Sequence, residues 1–234
     1  MEWLLAPIDP SRGHDVGFVV SWHGRLMVIA WSMLFPCGIL AARFFKITPR
    51  QNWPTELDNI AWWRTHLISQ YAGAVCIMIA IVLILMSPSN TAAGTWHQLV
   101  GWVVVSLCGL QFISGWLRGS KGGPTAPAVD GSLRGDHFDM TLRRRMFEYF
   151  HKSMGYIVLL LACVATVSGL WLANAQVWMW LVIVAWWLLL LSIGLLLQSR
   201  GACVDTYQAI WGPEPTLPGN QRQPIGIGIK QRGK

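Results

Sequence analysis

Five stretches of this chain are almost wholly apolar, and each is long enough to cross a lipid bilayer. They cover residues 17–42, 63–87, 96–117, 147–173 and 177–198, against the roughly 20 helical residues that a ~30 Å hydrocarbon core demands. The apolar positions run on without the every-second-residue alternation of a barrel strand. The stretches are therefore expected as α-helices, whose backbone groups are satisfied within each segment. The segments between them are polar. Residues 43–61 hold two prolines, residues 88–95 hold no charge, and residues 173–176 make a tight turn. Residues 118–146 are long and glycine-rich and close on Arg143, Arg144 and Arg145, which read as determinants of topology. From Ser199 the chain is polar and without periodicity, so it is expected as loop or as an arm lying against the rest. The predicted fold is an all-α membrane protein with five transmembrane helices, four of them in an up-down-up-down core. Residues 1–16 form an outer N-terminal segment, 17–198 the transmembrane domain and 199–234 a cytoplasmic C-terminal tail.

Composition supports lipid as the solvent. The chain is 53% hydrophobic and 12% charged, where a soluble domain carries about 25% charged residues. A net charge of +7 would suit nucleic acid, but the basic residues flank apolar runs instead of forming a stripe, and nucleic acid is excluded as a partner. Arg12 and Arg25 fall on the N-terminal side of the membrane, and the other 16 of the 18 Lys and Arg fall on the opposite side. By the positive-inside rule the N-terminus is expected outside and the C-terminus in the cytoplasm, in an inner or plasma membrane. Five cysteines are present, four of them inside apolar runs, with no Cys-x-x-Cys-His. Covalent haem attachment is unsupported, and the cysteines read as small buried hydrophobes.

The candidate chemistry lies in four histidines, because an ionisable group inside a membrane span is costly and needs a partner. His23, His66, His97 and His151 each sit near the start of an apolar run. Alternating span direction puts His23 and His97 near the outer face and His66 and His151 near the inner one. In an up-down-up-down core, helices 1 and 3 face each other, as do helices 2 and 4. Each pair can then clamp a porphyrin, giving two sites: His23 with His97, and His66 with His151. Gly101 and Gly155 follow His97 and His151 by four positions, on the same helix face. They are expected to remove side-chain bulk beside the ring, and Gly73, seven residues after His66, lies on that face too. Arg25, Arg64 and Lys152 stand within two residues of a proposed ligand, as partners for haem propionates or as snorkelling interfacial cations. His14 and His137 fall outside the spans and are expected as solvated loop residues. The fifth run has no ionisable residue and is expected to face lipid or a partner.

These segments resemble the cytochrome b561 family, in the branch associated with DOMON domains. The carrying residues are His23-Gly24-Arg25-Leu26-Met27 with Ala30-Trp31 and Phe35-Pro36, then Trp63-Arg64-Thr65-His66 with Gln70. His97-Gln98-Leu99-Val100-Gly101 and His151-Lys152-Ser153-Met154-Gly155 complete the set. The resemblance implies two non-covalent, bis-histidine haem b groups, with the four histidines as metal ligands paired first with third and second with fourth. It also implies electron transfer across the membrane, as an electron-transfer cytochrome or a transmembrane oxidoreductase. The family usually has six spans with a ligand-free first helix, whereas five are counted here and the first already carries a ligand. The lysine-and-arginine pattern associated with ascorbate is not recognisable.

The function expected is passage of electrons between a quinol or other reductant and a redox partner. The alternative is a haem-containing membrane anchor or accessory subunit of a larger redox complex. Expected partners are membrane lipid, a quinone or small reductant, an outer redox protein on a separate chain, and a larger membrane complex or a homodimer.

Overall fold

In the computed structural model, residues 2–87, 95–123, 127 and 129–232 are described, so the connection at 88–95 lies outside them apart from Thr95. Five helices are long and apolar enough to cross a membrane: α1 (Phe18–Phe44), α2 (Ala61–Leu85), α3 (Trp96–Trp116), α4 (Leu142–Leu172) and α5 (Val177–Ser199). Short helices at Glu2–Leu5, Asp136–Asp139 and Thr206–Trp211 accompany them. Among the described residues there is no strand beyond two isolated bridges. The protein is an all-α membrane protein.

Two of these helices depart from what hydropathy alone predicts. α4 begins at Leu142, five residues ahead of its apolar run. Thr141 caps it, its Oγ1 accepting from the backbone N–H of Arg144 (3.3 Å). Arg144 and Lys152 then bind Glu148 from one turn on either side, at 3.0 and 2.7 Å. Such i,i+4 pairs stabilise a charged turn that an apolar count reads as loop. α1 contains a π-helical turn at Ile29–Leu34. Pro36 has no N–H to offer the carbonyl of Ser32, four residues earlier. That carbonyl instead accepts from the Trp186 indole of α5 at 2.6 Å, and Trp187 donates to the Ser32 hydroxyl at 3.2 Å.

The chain divides into two compact units, each drawing on several helices. The first comprises Met1–Gly38, Leu67–Leu107 and Ile157–Gly194. Its N-terminal segment is tied to the turn between α4 and α5: Ile8 N–H donates to Ala175 O (3.1 Å) and Val177 N–H to Ala6 O (3.0 Å). Asn174 adds a side-chain clamp, accepting from Asp9 N–H and donating to Asp9 O and Arg12 O. At Gly73 a Cβ would come within 2.4 Å of the Phe35 ring, so this glycine makes room for a buried aromatic of α1.

The second unit comprises Ile39–His66, Cys108–Tyr156 and Leu195–Lys234. Its tail is an adhering arm rather than a loop, and residues 203–210 are all buried. Met140, Tyr207 and Ile225 form a small core, with Trp211 and Leu217 packed on it. Tyr207 donates its hydroxyl to Phe138 O (3.0 Å), and burial pushes that phenol up to about 12. Lys46 is buried and donates to Val204 O (2.9 Å); desolvation lowers its ammonium to about 8. Arg43 binds Tyr156 Oη, Gln198 Oε1 and Ile227 O, and Lys152 binds Ile225 O. The cations that hydropathy assigns to topology thus also anchor the tail.

Far less of α5 is buried than of α1. The exposed surface of α5 is large and aliphatic, including Leu181, Val182, Leu188 and Leu191. Gly73→Ala should destabilise the protein by about 1–3 kcal/mol, because the Phe35 ring must shift off its packing. Gly109→Ala, where a Cβ meets nothing within 4 Å, is the neutral control. A lower melting temperature in detergent for the first variant alone is the expected result.

Candidate cofactor-binding site

The first unit holds His23 from α1 and His97 from α3, with ring centroids 6.3 Å apart and planes at 87°. His23 donates its Nδ1–H to the carbonyl of Ala80 on α2 (3.0 Å). His97 donates its Nδ1–H to Ala165 O on α4 (3.1 Å), with Ser168 Oγ at 3.2 Å. A carbonyl can only accept, so the ring proton in each case sits on Nδ1 and Nε2 keeps its lone pair. These carbonyls already serve their own helices and use a second lone pair for the ring. Beside His97, a Cβ on Gly169 would come within 2.9 Å of Cε1, so a small residue is needed there.

The second unit holds His66 from α2 and His151 from α4, with centroids 6.4 Å apart and planes at 75°. His66 stacks on Trp63 (6.1 Å, 30°), over which Arg118 lies at 4.3 Å. His151 lies 5.0 Å from Phe147, and its Nδ1 meets the hydroxyl of Ser114 on α3 at 2.9 Å. Gln111, one turn earlier on α3, donates to the backbone carbonyl of His151 at 3.2 Å.

Each pair brings two imidazole rings to a separation that can be compared with that of a metal-bridged pair. An imidazole nitrogen binds a metal at about 2 Å, so two rings on opposite sides of one ion have centroids about 6 Å apart. Among the described residues, no three His, Cys, Asp or Glu side chains gather at a common point. Two imidazoles at this spacing fit a b-type haem, whose iron takes its remaining nitrogens from the porphyrin itself.

The neighbouring residues named from the sequence are placed differently from one another. A Cβ on Gly101 meets nothing within 4 Å, whereas one on Gly155 would face Gln111 Nε2 at 3.7 Å. Arg25 is exposed and lies over Trp22 at 5.3 Å. Arg64 is exposed at the start of α2. Lys152 is committed to Glu148 and Ile225 and keeps one ammonium proton. His14 is half-buried and meets Ala173 O at 2.9 Å.

Sequence comparison bears directly on this arrangement. The family description "Eukaryotic cytochrome b561" matches residues 22–119, a segment that includes His23, His66 and His97. A cytochrome b561, DM13 and DOMON domain-containing protein of Arabidopsis thaliana is 25% identical over 167 residues, 71% of this chain. Human ferric-chelate reductase 1 is 29% identical over 70% of this chain. A cytochrome b561 and DOMON domain-containing protein of Arabidopsis thaliana is 26% identical over 68% of it. Residues 22–119 thus match the cytochrome b561 family, and the relatives that carry that name align over about two thirds of the chain.

That match implies a b-type haem. The chain spans 16%, 24% and 29% of the lengths of those three relatives, so it corresponds to one part of each. No solved structure matches it. Ser114, Gln111, Ser168 and Gly169 were missed by sequence reasoning, although polar and small residues inside apolar runs are a visible signal. Ala80 and Ala165 act through backbone carbonyls and leave no such signal.

His137 corrects the expectation of a solvated loop histidine. It is 1% exposed, enclosed by Tyr207 (5.7 Å) and Trp211 (6.5 Å), because the tail folds over it. Its Nε2 lies 3.8 Å from Glu148 and has no hydrogen-bond partner among the described residues. Burial, reinforced by Arg144, holds the imidazole well below its ordinary 6.5. The unfolded chain takes up this proton as pH falls through 6.5 and the folded chain does not. Stability from this packing is complete above that pH and declines below it, by at most about 1.4 kcal/mol per pH unit. Limited proteolysis of the tail should be faster at pH 5.5 than at pH 7.5, and His137→Phe should flatten the difference.

Proposed function

We propose that this protein carries electrons across the membrane through two non-covalent b haems. His23 and His97 would hold an outer haem, and His66 and His151 an inner one. The observation that carries this reading is the pair of 6.3 and 6.4 Å ring separations, with His23 and His97 anchored through Nδ1 on backbone carbonyls. When bound, a b haem supplies a one-electron ferric–ferrous couple.

The chain's own contribution is ligation, orientation and exclusion of water. Nδ1–H donation fixes the tautomer and leaves the Nε2 lone pair as the one that would bind a metal. Gly101 leaves space at the outer site, and the apolar spans keep solvent from both. Arg25, Arg64 and Lys152 are assigned to the propionates, with Lys152 using its one remaining proton. A quinol or other small reductant is the donor at the inner face, and an outer redox protein or a ferric chelate is the acceptor. The relatives called ferric-chelate reductases support the last class. Sixteen of 18 Lys and Arg on the inner side support an N-terminus outside and a C-terminus in the cytoplasm.

A pyridine haemochrome assay should give two b haems per chain. His23→Ala and His97→Ala should each remove the same haem, and His66→Ala and His151→Ala the other. Gly101→Leu should shed the outer haem while helicity by circular dichroism stays unchanged. One haem or none in the parent protein, or loss of both from every variant, contradicts two independent sites.

Topology is tested separately. A reporter joined after Lys234 should be active in the cytoplasm, and a tag before Met1 should be labelled from outside. The reverse pattern at either end overturns the naming of outer and inner sites.

A further inference from the structure

The hydrogen bonds behind the histidines differ between the two units. In the first, His23 and His97 rest on the carbonyls of Ala80 and Ala165, which no side-chain change can remove. In the second, His151 Nδ1 rests on a side chain, the Ser114 hydroxyl at 2.9 Å. That hydroxyl has a single hydrogen, which it donates to Gln111 O at 2.8 Å. Ligation through Nε2 leaves the ring proton on Nδ1, and with the hydroxyl hydrogen on Gln111 O the Ser114 oxygen accepts it. Gln111 completes the grip by donating to His151 O at 3.2 Å, so one turn of α3 holds both the ring and the backbone of this residue. The helices meet there through glycines. A Cβ on Gly115 would lie 4.0 Å from His151 Cε1, and one on Gly155 3.7 Å from Gln111 Nε2.

The structure assigns Ser114 as the positioning residue that fixes the tautomer of His151 and tunes the reduction potential of the haem it ligates. The assignment rests on the ligation proposed above. A hydrogen-bond acceptor behind Nδ1 makes the imidazole a more basic ligand and favours the ferric state, which lowers the potential. Ser114 is thus a point at which a side chain acts on the electron affinity of the inner site. At the outer site the corresponding acceptors belong to the main chain. Ser168 also lies beside an outer ligand, His97, but Ala165 O remains when its hydroxyl is removed.

The test is a redox titration of the purified holoprotein, followed at the haem α band, with His23→Ala as a background that isolates the inner haem. Ser114→Ala should keep that haem and raise its midpoint, by up to about tenfold in the ferrous-to-ferric ratio, or ~59 mV for one electron. Ser114→Thr, which keeps the hydroxyl, should restore the parent value. Ser168→Ala, in a His66→Ala background, should leave the outer midpoint unchanged. Should Ser114→Ala shed the inner haem, Ser114→Cys puts a weaker acceptor in the same place and should retain it with a smaller upward shift. An unchanged midpoint in the Ala variant, an equal shift in the Thr variant, or a Cys variant at the parent midpoint overturns the assignment. If His151→Ala keeps both haems, the ligation reading fails. If it loses one while Ser114→Ala leaves the midpoint unmoved, only the role of Ser114 fails.

Discussion

An imidazole N–H inside hydrocarbon has no water to bind, and the contacts behind three of the four intramembrane histidines answer that shortage. His23 and His97 solve it by donating to carbonyls of neighbouring helices, at Ala80 and Ala165. His151 solves it with the Ser114 hydroxyl. Satisfying Nδ1 settles which nitrogen keeps its lone pair, and so the same contact that makes burial tolerable prepares the opposite nitrogen to bind a metal. The small residues around the rings follow from the same requirement. A helix can present its carbonyl to a neighbouring imidazole only by close approach, and Gly169 beside His97 supplies it.

The same demand shapes the scaffold away from the histidines. Pro36 strips the Ser32 carbonyl of its helical donor, and the α5 indole of Trp186 replaces it. α5 has no ionisable residue and little buried surface, yet it completes α1 at the point where α1 is irregular. In the second unit the demand is ionic. Glu148 is 3% exposed and bound by Arg144 and Lys152, an arrangement in which either cation alone would leave a buried charge poorly matched. Lys152 then extends the network to Ile225 O, and Arg43 does likewise to Ile227 O. The tail is held largely by donors reaching its backbone carbonyls, with a core of only a few large side chains.

Hydropathy along the chain determined the number of spans and their extent to within a few residues, because a hydrocarbon layer of fixed thickness imposes length and apolarity on any segment crossing it. It also made His23, His66, His97 and His151 conspicuous, since polar groups are rare in such segments. The start of α4 was not legible, because helix formation at Arg143–Arg145 comes from capping and i,i+4 pairing instead of apolarity. Nor was the burial of His137 and of residues 203–210, which have no periodic pattern and are enclosed only once distant segments meet. The acceptors at Ala80 and Ala165 are beyond any sequence signal, because every residue carries a carbonyl and only the packing of one helix on another selects which carbonyl meets a ring.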